Sequence, residues 1–420
     1  KKNDIYKGKW SRHFVLDNKS VGQITAYLDD ANVTGNPYPL LQNADKSFQG
    51  SIVLGKGFVL EPYEAARLIE KNPKNKDVLF PYLNGEDLNT NPDQSPSRWV
   101  INFFDWPEDK CRKEYPDCFE IVERLVKPVR LKQTGDRGAK YWWQHLRIRC
   151  ELYRSIVPLE RILAITQVSK TGAFCLLSKN IIFDQKVIII ASSCASLFCI
   201  LQSSFHNNWA WKYGLTMKTD LTYTPTGIFK TFPFIKDLTV SAERKLEQVG
   251  EKYHSYRTEF MLKTQLGLTK TYNQFHNRQL AIISDGLSES SIEKKHSKET
   301  LNLWKHLSRT ANTCPFNEAV ADILELRRLH KEMDEAVLKA YGWTDITLAH
   351  DFYEVDYLPE NDRIRYTISP SARREVLKRL LTLNHKIHAQ EMEAEKQAAP
   401  ASKPRKGKKK ETNDNQSSIF

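Results

Sequence analysis

Leu246, Val249, Tyr253, Tyr256 and Phe260 recur at spacings of three, four, three and four residues. That period puts all five on one side of a helix, and an apolar seam of this length has to be covered by another helix. Similar spacing predicts helices over Lys298–Ser308 and Asn317–Ala340, the latter closed by Gly342-Trp343, and an amphipathic helix over Ser196–Tyr213 stopped by Gly214. Strand-like pieces occupy the other half of the chain: Trp10–Leu16, Ser51–Leu54, Gly57–Leu60, Trp99–Phe104, Arg161–Val168, Ala173–Leu177 and Lys186–Ala191. A short helix is expected from Pro62 to Lys71, with turns at Gly35-Asn36-Pro37 and Asn84-Gly85. Segregated strands and helices give the α+β class.

With 420 residues, 40% of them hydrophobic, the chain can bury two or three cores. Composition suggests five blocks. Residues 1–97 form an incomplete α/β unit, 98–235 a compact α+β domain, 236–345 a helical spacer, 346–390 a small C-terminal unit, and 391–420 a disordered basic tail. The tail, AAPASKPRKGKKKETNDNQSS in its main part, has too few apolar residues to offset its ordering entropy. No internal repeat is visible. The longest apolar stretch, Val187–Leu201, is short of a membrane span and broken by Ser192, Ser193 and Ser196, and KKNDIYKGKW lacks a signal region. Seven cysteines without CxxC spacing point to free, buried thiols in a reducing cytoplasm. His385 and His388 have no third ligand nearby, so no metal site is expected.

Charge is concentrated. The net charge is +12, yet residues 1–97 balance, and Arg124–Arg154 sets nine Lys/Arg against Asp136 and Glu151, a net +7. Tyr141, Trp142, Trp143 and Tyr153 are interleaved with these cations. The stretch therefore offers phosphate-neutralising groups beside flat faces able to stack on bases, and it fits equally an amphipathic helix with a solvated basic face and a buried Trp pair.

Catalytic motifs are missing. There is no P-loop, no GxSxG and no Cys/His nucleophile pattern. Gly55-Lys56-Gly57 reads as a hairpin turn rather than a cofactor loop. Asn36-Pro37-Tyr38-Pro39 scrambles the [DNS]PP[YFW] loop of amino-methyltransferases. Glu108-Asp109-Lys110 and Glu293-Lys294-Lys295 spell the end of a nuclease motif without its paired acid. The chain by itself is not expected to catalyse.

Eight blocks, in consistent order, resemble the region downstream of the catalytic domain in large bacterial DNA adenine methyltransferases, the type IIG/IIL restriction-modification enzymes and DISARM-type phage-defence methyltransferases. They are SFQGSIVLGKGFVL (Ser47–Leu60), LFPYLNGEDLNTNP (Leu79–Pro92), RWVINFFDW (Arg98–Trp106), ERLVKPVR (Glu123–Arg130), SSFHNNWAWKYG (Ser203–Gly214), DLTYTPTGIFKTFPF (Asp220–Phe234), GLTKTYNQFHN (Gly267–Asn277) and LRRLHKEMDEAVLKAYGW (Leu326–Trp343). The resemblance implies that residues 1–97 end an α/β methyltransferase domain, that 98–235 is a target-recognition domain for double-stranded DNA, and that S-adenosylmethionine binds in a catalytic domain or subunit elsewhere. It implies partners of the same kind: DNA, the catalytic part, and other defence-system proteins.

Within that frame Lys127, Arg130, Arg137, Lys140 and Arg147 are expected on phosphates. Trp142 and Trp143, adjacent on a helix, point about 100° apart, so one should face DNA and the other the core. On the helix Ser196–Tyr213, Leu197, Leu201, Phe205 and Trp209 make the buried stripe. Gln202 with His206, and Ser203 with Asn207, share polar faces suited to base edges or simply to water. Lys212, Lys218 and Tyr223 follow as further phosphate contacts. Two other classes stay open: a scaffold whose Leu246–Phe260 seam docks a helicase or nuclease, and a nuclease using Glu108 or Glu293.

Overall fold

The computed structural model describes residues 14–16, 19–21, 35–132, 136–283, 289–309 and 314–398. In chain order the strands are β1 Phe14–Leu16, β2 Lys19–Val21, β3 Ser47–Gln49, β4 Val59–Leu60, β5 Leu79–Leu83, β6 Arg98–Ile101, β7 Arg161–Thr166, β8 Val168–Ser169, β9 Cys175–Ser178, β10 Ile182–Phe183, β11 Val187–Ile190, β12 Leu215–Met217, β13 Asp220–Thr222, β14 Asp351–Glu354 and β15 Ile364–Thr367. The helices are α1 Pro62–Lys71, α2 Gly85–Thr90, α3 Glu108–Glu114, α4 Pro116–Leu125, α5 Lys127–Leu131, α6 Asp136–Lys140, α7 Cys150–Ile156, α8 Ala195–Gln202, α9 Ser204–Tyr213, α10 Val240–Thr264, α11 Leu268–Phe275, α12 Glu289–Lys295, α13 Lys298–Arg309, α14 Phe316–Ala340 and α15 Pro370–Ala398.

Several small sheets replace one large one. β11 (VIII) is buried along its whole length because β3 and β7 flank it on both sides, with Ile188 opposite Gln49 and Ile165, in the antiparallel order β3-β11-β7-β9. A second sheet runs β10-β5-β6-β4, and a third β12-β13-β8. Four pairings in these sheets, β3 with β11, β4 with β6, β5 with β6 and β5 with β10, join strands on either side of position 97. Among the described residues no sheet is built from residues 35–97 alone.

The helical seam forms as its spacing requires. α10 packs against α8 on one side and α14 on the other, with Leu246, Val249, Tyr253 and Phe260 buried and Tyr256 half-buried. Gly250 permits the approach: a Cβ there would lie 2.2 Å from the Ala195 carbonyl oxygen. α1 spans the expected residues, and α13 and α14 start or end within one residue of theirs. Gly342, at φ 72°, takes the left-handed conformation past the end of α14.

Other expectations fail for physical reasons. The continuous helix Ser196–Tyr213 is two helices, broken where Ser203 turns extended (φ −65°, ψ 158°). Ser204 N–H donates to the buried Asp334 carboxylate at 2.7 Å, so a side chain from α14 satisfies the start of α9. Gly55-Lys56-Gly57 opens a 3-10 turn, Lys56–Phe58, and not a hairpin: Ile52 pairs with Arg147 while β4 pairs with β6. A Cβ on Gly57 would come within 2.4 Å of Leu125 Cβ, so this glycine admits the close approach of α4. Asn84-Gly85 starts α2 instead of making a turn, the Asn84 side chain accepting from Asp87 N–H at 2.9 Å.

α15 runs eight residues past the expected boundary at 390, and the reason is on its surface. Asn384 brackets Tyr38 (Oδ1 from its N–H at 2.9 Å, Nδ2 to its carbonyl at 2.8 Å), and Glu391 accepts from Leu41 N–H and Gln42 N–H. The Asn36-Pro37-Tyr38-Pro39 stretch is therefore strapped to this helix, with Tyr38 stacked on His388 at 4.3 Å. The rest of the basic tail and Trp10–His13 lie outside the described residues. All seven cysteines are free; Cys194 is exposed and Cys150 half-buried, against the expectation of burial. No described helix is long and apolar enough to cross a membrane.

Candidate nucleic-acid interface

The basic stretch splits into internal cations and outward ones. Arg130 is 1% exposed, and its guanidinium donates to the carbonyls of Leu54 (2.7 Å), Val53 (2.9 Å), Gln144 (3.2 Å) and Gly138 (3.4 Å). Burial pulls its pKa down from the ordinary arginine value. It is a clamp between the 53–54 segment and the Trp-bearing turn, not a phosphate ligand. Lys127 is half-buried, pairs with Glu123 at 2.8 Å and lies 4.6 Å from the Trp142 ring centre. Arg112 and Lys127 together hold the Glu123 carboxyl down to about 2.

Trp142 and Trp143 are both buried, where one was expected to face solvent. The chain turns at 141–144 instead of continuing α6, so the helical 100° offset does not apply. Trp142 meets Phe119 edge-on, and Trp143 Nε1 donates to the Trp106 carbonyl at 2.8 Å. Arg137 and Lys140 remain exposed, each about 5 Å from the half-buried Tyr141 ring (5.5 and 5.3 Å), and Arg147 is exposed as well. Arg124 and Lys132, which the sequence reading passed over, are exposed beside them.

The expected base-reading face does not exist. Gln202, Ser203, His206 and Tyr223 are buried, because α8 and α9 are enclosed on nearly every side. Gln202 Oε1 accepts from Phe174 N–H (2.9 Å) and Arg257 Nη1 (3.3 Å), and its Nε2 donates to Tyr272 Oη (3.0 Å). Ser203 Oγ donates back to Ile200 carbonyl. His206 faces Tyr223 Oη at 3.2 Å inside a box of Phe174 and Phe232. Asn207 alone of the four reaches partway out, against Gly172, whose missing Cβ would sit 2.9 Å from Asn207 Oδ1. Lys212, in the last turn of α9, and Lys218, at φ 58° in the β12–β13 turn, are exposed.

Burial of these histidines has a consequence for pH. Desolvation lowers His206 to about 3 and His145 to about 4. The unfolded chain takes up these protons near pH 6.5 while the folded chain refuses them, so their stabilisation is complete above pH 6.5 and is lost as pH falls toward 4. Urea unfolding is expected to show about 1 kcal/mol lost per buried histidine between pH 6.5 and 5.5. A flat profile over that window would contradict their burial.

One backbone path links the outward cations. Arg147 pairs with Ile52 through both backbone hydrogen bonds, Ser51 N–H donates to Phe183, Gln167 N–H to Lys186, and Tyr223 N–H to Gln167. Single backbone links between separate small sheets thus connect the segments that carry Arg147, Lys186 and the β12–β13 hairpin with Lys218. Lys186 and Gly172 were missed because only the pairing of distant strands brings them here. Arg149 does not contribute: it folds back onto Gly50 carbonyl and Gln49 Oε1.

Glu108–Lys110 and Glu293–Lys295 sit on the separate helices α3 and α12. Among the described residues Cys314, Glu318 and Asp322 have metal-ligand spacing, but the Lys263 ammonium already pairs with both carboxylates, at 2.9 Å from Asp322.

Residues 32–236 match the family model described as MmeI, target recognition domain. No curated protein matches the chain. Among solved structures the fold is similar to the type IIL restriction-modification enzyme MmeI determined in complex with DNA, with a TM-score of 0.54 and 15% identity. The similarity covers 88% of this chain and 39% of that one, so this chain spans well under half the length of the enzyme it matches.

Proposed function

We propose, because residues 32–236 match the family model of the MmeI target recognition domain, that this chain is the sequence-specific, double-stranded DNA recognition part of a type IIL restriction-modification enzyme or a related phage-defence methyltransferase acting in the cytoplasm. The family match is the observation that carries this reading. The outward cations Arg137, Lys140, Arg147 and Lys218 supply phosphate contacts that set register and affinity, while base discrimination belongs to the loops and the β12–β13 hairpin. Transfer of a methyl group to adenine, with S-adenosylmethionine as donor, belongs to a catalytic part outside this chain. Titration of the chain with S-adenosylmethionine is expected to give no heat.

Selection of the purified chain on a randomised duplex library at about 50 and 200 mM salt tests the reading, since purely electrostatic binding collapses over that range. An enriched motif containing adenine at both salts is the expected result. Binding without enrichment that disappears at the higher salt would instead mark a basic scaffold for a helicase or nuclease partner. Arg137→Ala or Lys140→Ala is expected to weaken all sequences alike and leave their ranking unchanged.

A further inference from the structure

Residues 351–367 fold into a two-stranded hairpin, β14 with β15, in a sheet of its own. A pair of strands is marginal in water by itself, so the position of this one rests on what it docks against. Phe352 is registered with Tyr366, their ring centres 5.5 Å apart, and the Arg327 guanidinium of α14 lies 4.9 and 5.6 Å from those centres. Arg327 is itself fixed, donating to the carbonyls of Gln274, Phe275 and Asn277 around the end of α11. At the foot of the hairpin His350 Nε2 lies 2.7 Å from Asp334 Oδ2. In its connecting loop Asp362 pairs with Lys170 beside β8 at 3.2 Å, and Tyr357 stacks on Trp211 of α9 at 4.5 Å. The hairpin thus ties the spacer helices to the recognition half.

A titratable side chain fastens the backbone of β15. Tyr366 N–H donates at 3.2 Å to Nδ1 of His276, the residue that caps the end of α11. An acceptor at Nδ1 requires the neutral ring with its proton on Nε2. A second proton would set N–H against N–H. The surroundings oppose that proton as well: Arg365 faces the ring from β15, Arg327 and His330 face it from α14, and Tyr272 and Phe275 of its own helix lie against it with their rings. The Asp334 carboxylate is taken up by Ser204 N–H, His350 and His330. Desolvation and then the neighbouring cationic side chains hold the His276 pKa well below 6.5. Undocked, the ring takes up a proton near pH 6.5; docked, it refuses it. Docking is therefore complete above pH 6.5 and weakens about tenfold for each pH unit below it.

We propose that the β14–β15 hairpin is an acid-released clasp: a proton taken from solvent onto His276 Nδ1 breaks the bond to Tyr366 N–H and frees the hairpin from α11 and α14. Hydrogen exchange of the full chain at pH 7.5, 6.5 and 5.5, corrected for the pH dependence of intrinsic exchange, tests it. Protection over residues 351–367 is expected to hold from pH 7.5 to 6.5 and to fall about tenfold from 6.5 to 5.5, while the central strand β11 stays far better protected throughout. His276→Asn offers a side-chain oxygen in place of Nδ1 and does not titrate, so its hairpin protection is expected to be flat over the same range. Ring NMR of the parent chain needs no variant: His276 is expected to take up its proton with the same midpoint at which hairpin protection is lost. The proposal is overturned if the parent's hairpin protection does not change with pH, if hairpin and β11 exchange together as one unit, if His276→Asn follows the parent's profile, or if His276 titrates while Tyr366 N–H stays protected.

Discussion

Replacing Arg130 with alanine is expected to cost about 3 kcal/mol or more of folding stability and to change the sequence ranking of any DNA bound by the folded protein not at all. The side chain supplies charge-assisted donors to four carbonyls, those of Val53, Leu54, Gly138 and Gln144, in a site closed to water. Each buried carbonyl left without a donor costs roughly 1–3 kcal/mol, and relaxation recovers only part of the sum. Arg130→Lys is expected to recover only a fraction, since an ammonium cannot bridge the 53–54 segment and the 138–144 turn as the planar fork does. Urea unfolding of the three proteins decides it. A loss below about 1 kcal/mol for the alanine variant would show that the clamp is dispensable.

The second large effect is at Arg257, on α10. Its guanidinium, 1% exposed, donates to Phe174 carbonyl at 2.5 Å, Tyr272 Oη at 3.0 Å and Gln202 Oε1 at 3.3 Å, with the rings of Phe198 and Tyr253 within 6 Å. These contacts tie the spacer helices to the segment leading into β9. Arg257→Met keeps most of the volume but leaves the carbonyl and the Gln202 amide oxygen short of a donor, so a loss of about 2–4 kcal/mol is expected. Hydrogen exchange should locate it, with faster exchange at Phe174 N–H and along α8. An unfolding midpoint equal to that of the parent would contradict this account.

Both arginines show where a sequence stops being legible. Arg130 sits in a cationic run and looks like its neighbours Lys127 and Arg137, yet its partners lie 76 and 77 residues upstream as well as 8 and 14 downstream. Nothing local distinguishes an arginine that reaches water from one that folds inward, because the same long apolar stem and five donors serve either place. Gln202 and His206 failed similarly. Their spacing of four assumes one continuous helix, but the chain breaks at Ser203 between them, and α10, α11 and the 223–232 loop cover both. The break at Ser203 depends on a carboxylate 130 residues away.

What the sequence determined by itself is whatever a residue's near neighbours decide. Apolar periodicity set α10, α13 and α14, the proline at the start and the basic end set α1, and eight ordered blocks of sequence carried a resemblance to the family whose model residues 32–236 match. Tertiary structure alone decided which of the clustered cations and amides are available to a ligand. Availability depends on what distant segments leave uncovered, and a buried polar group is stable only when those segments supply its hydrogen bonds. The same rule left Leu215 and Met217 outside, on the edge strand of the β12-β13-β8 sheet.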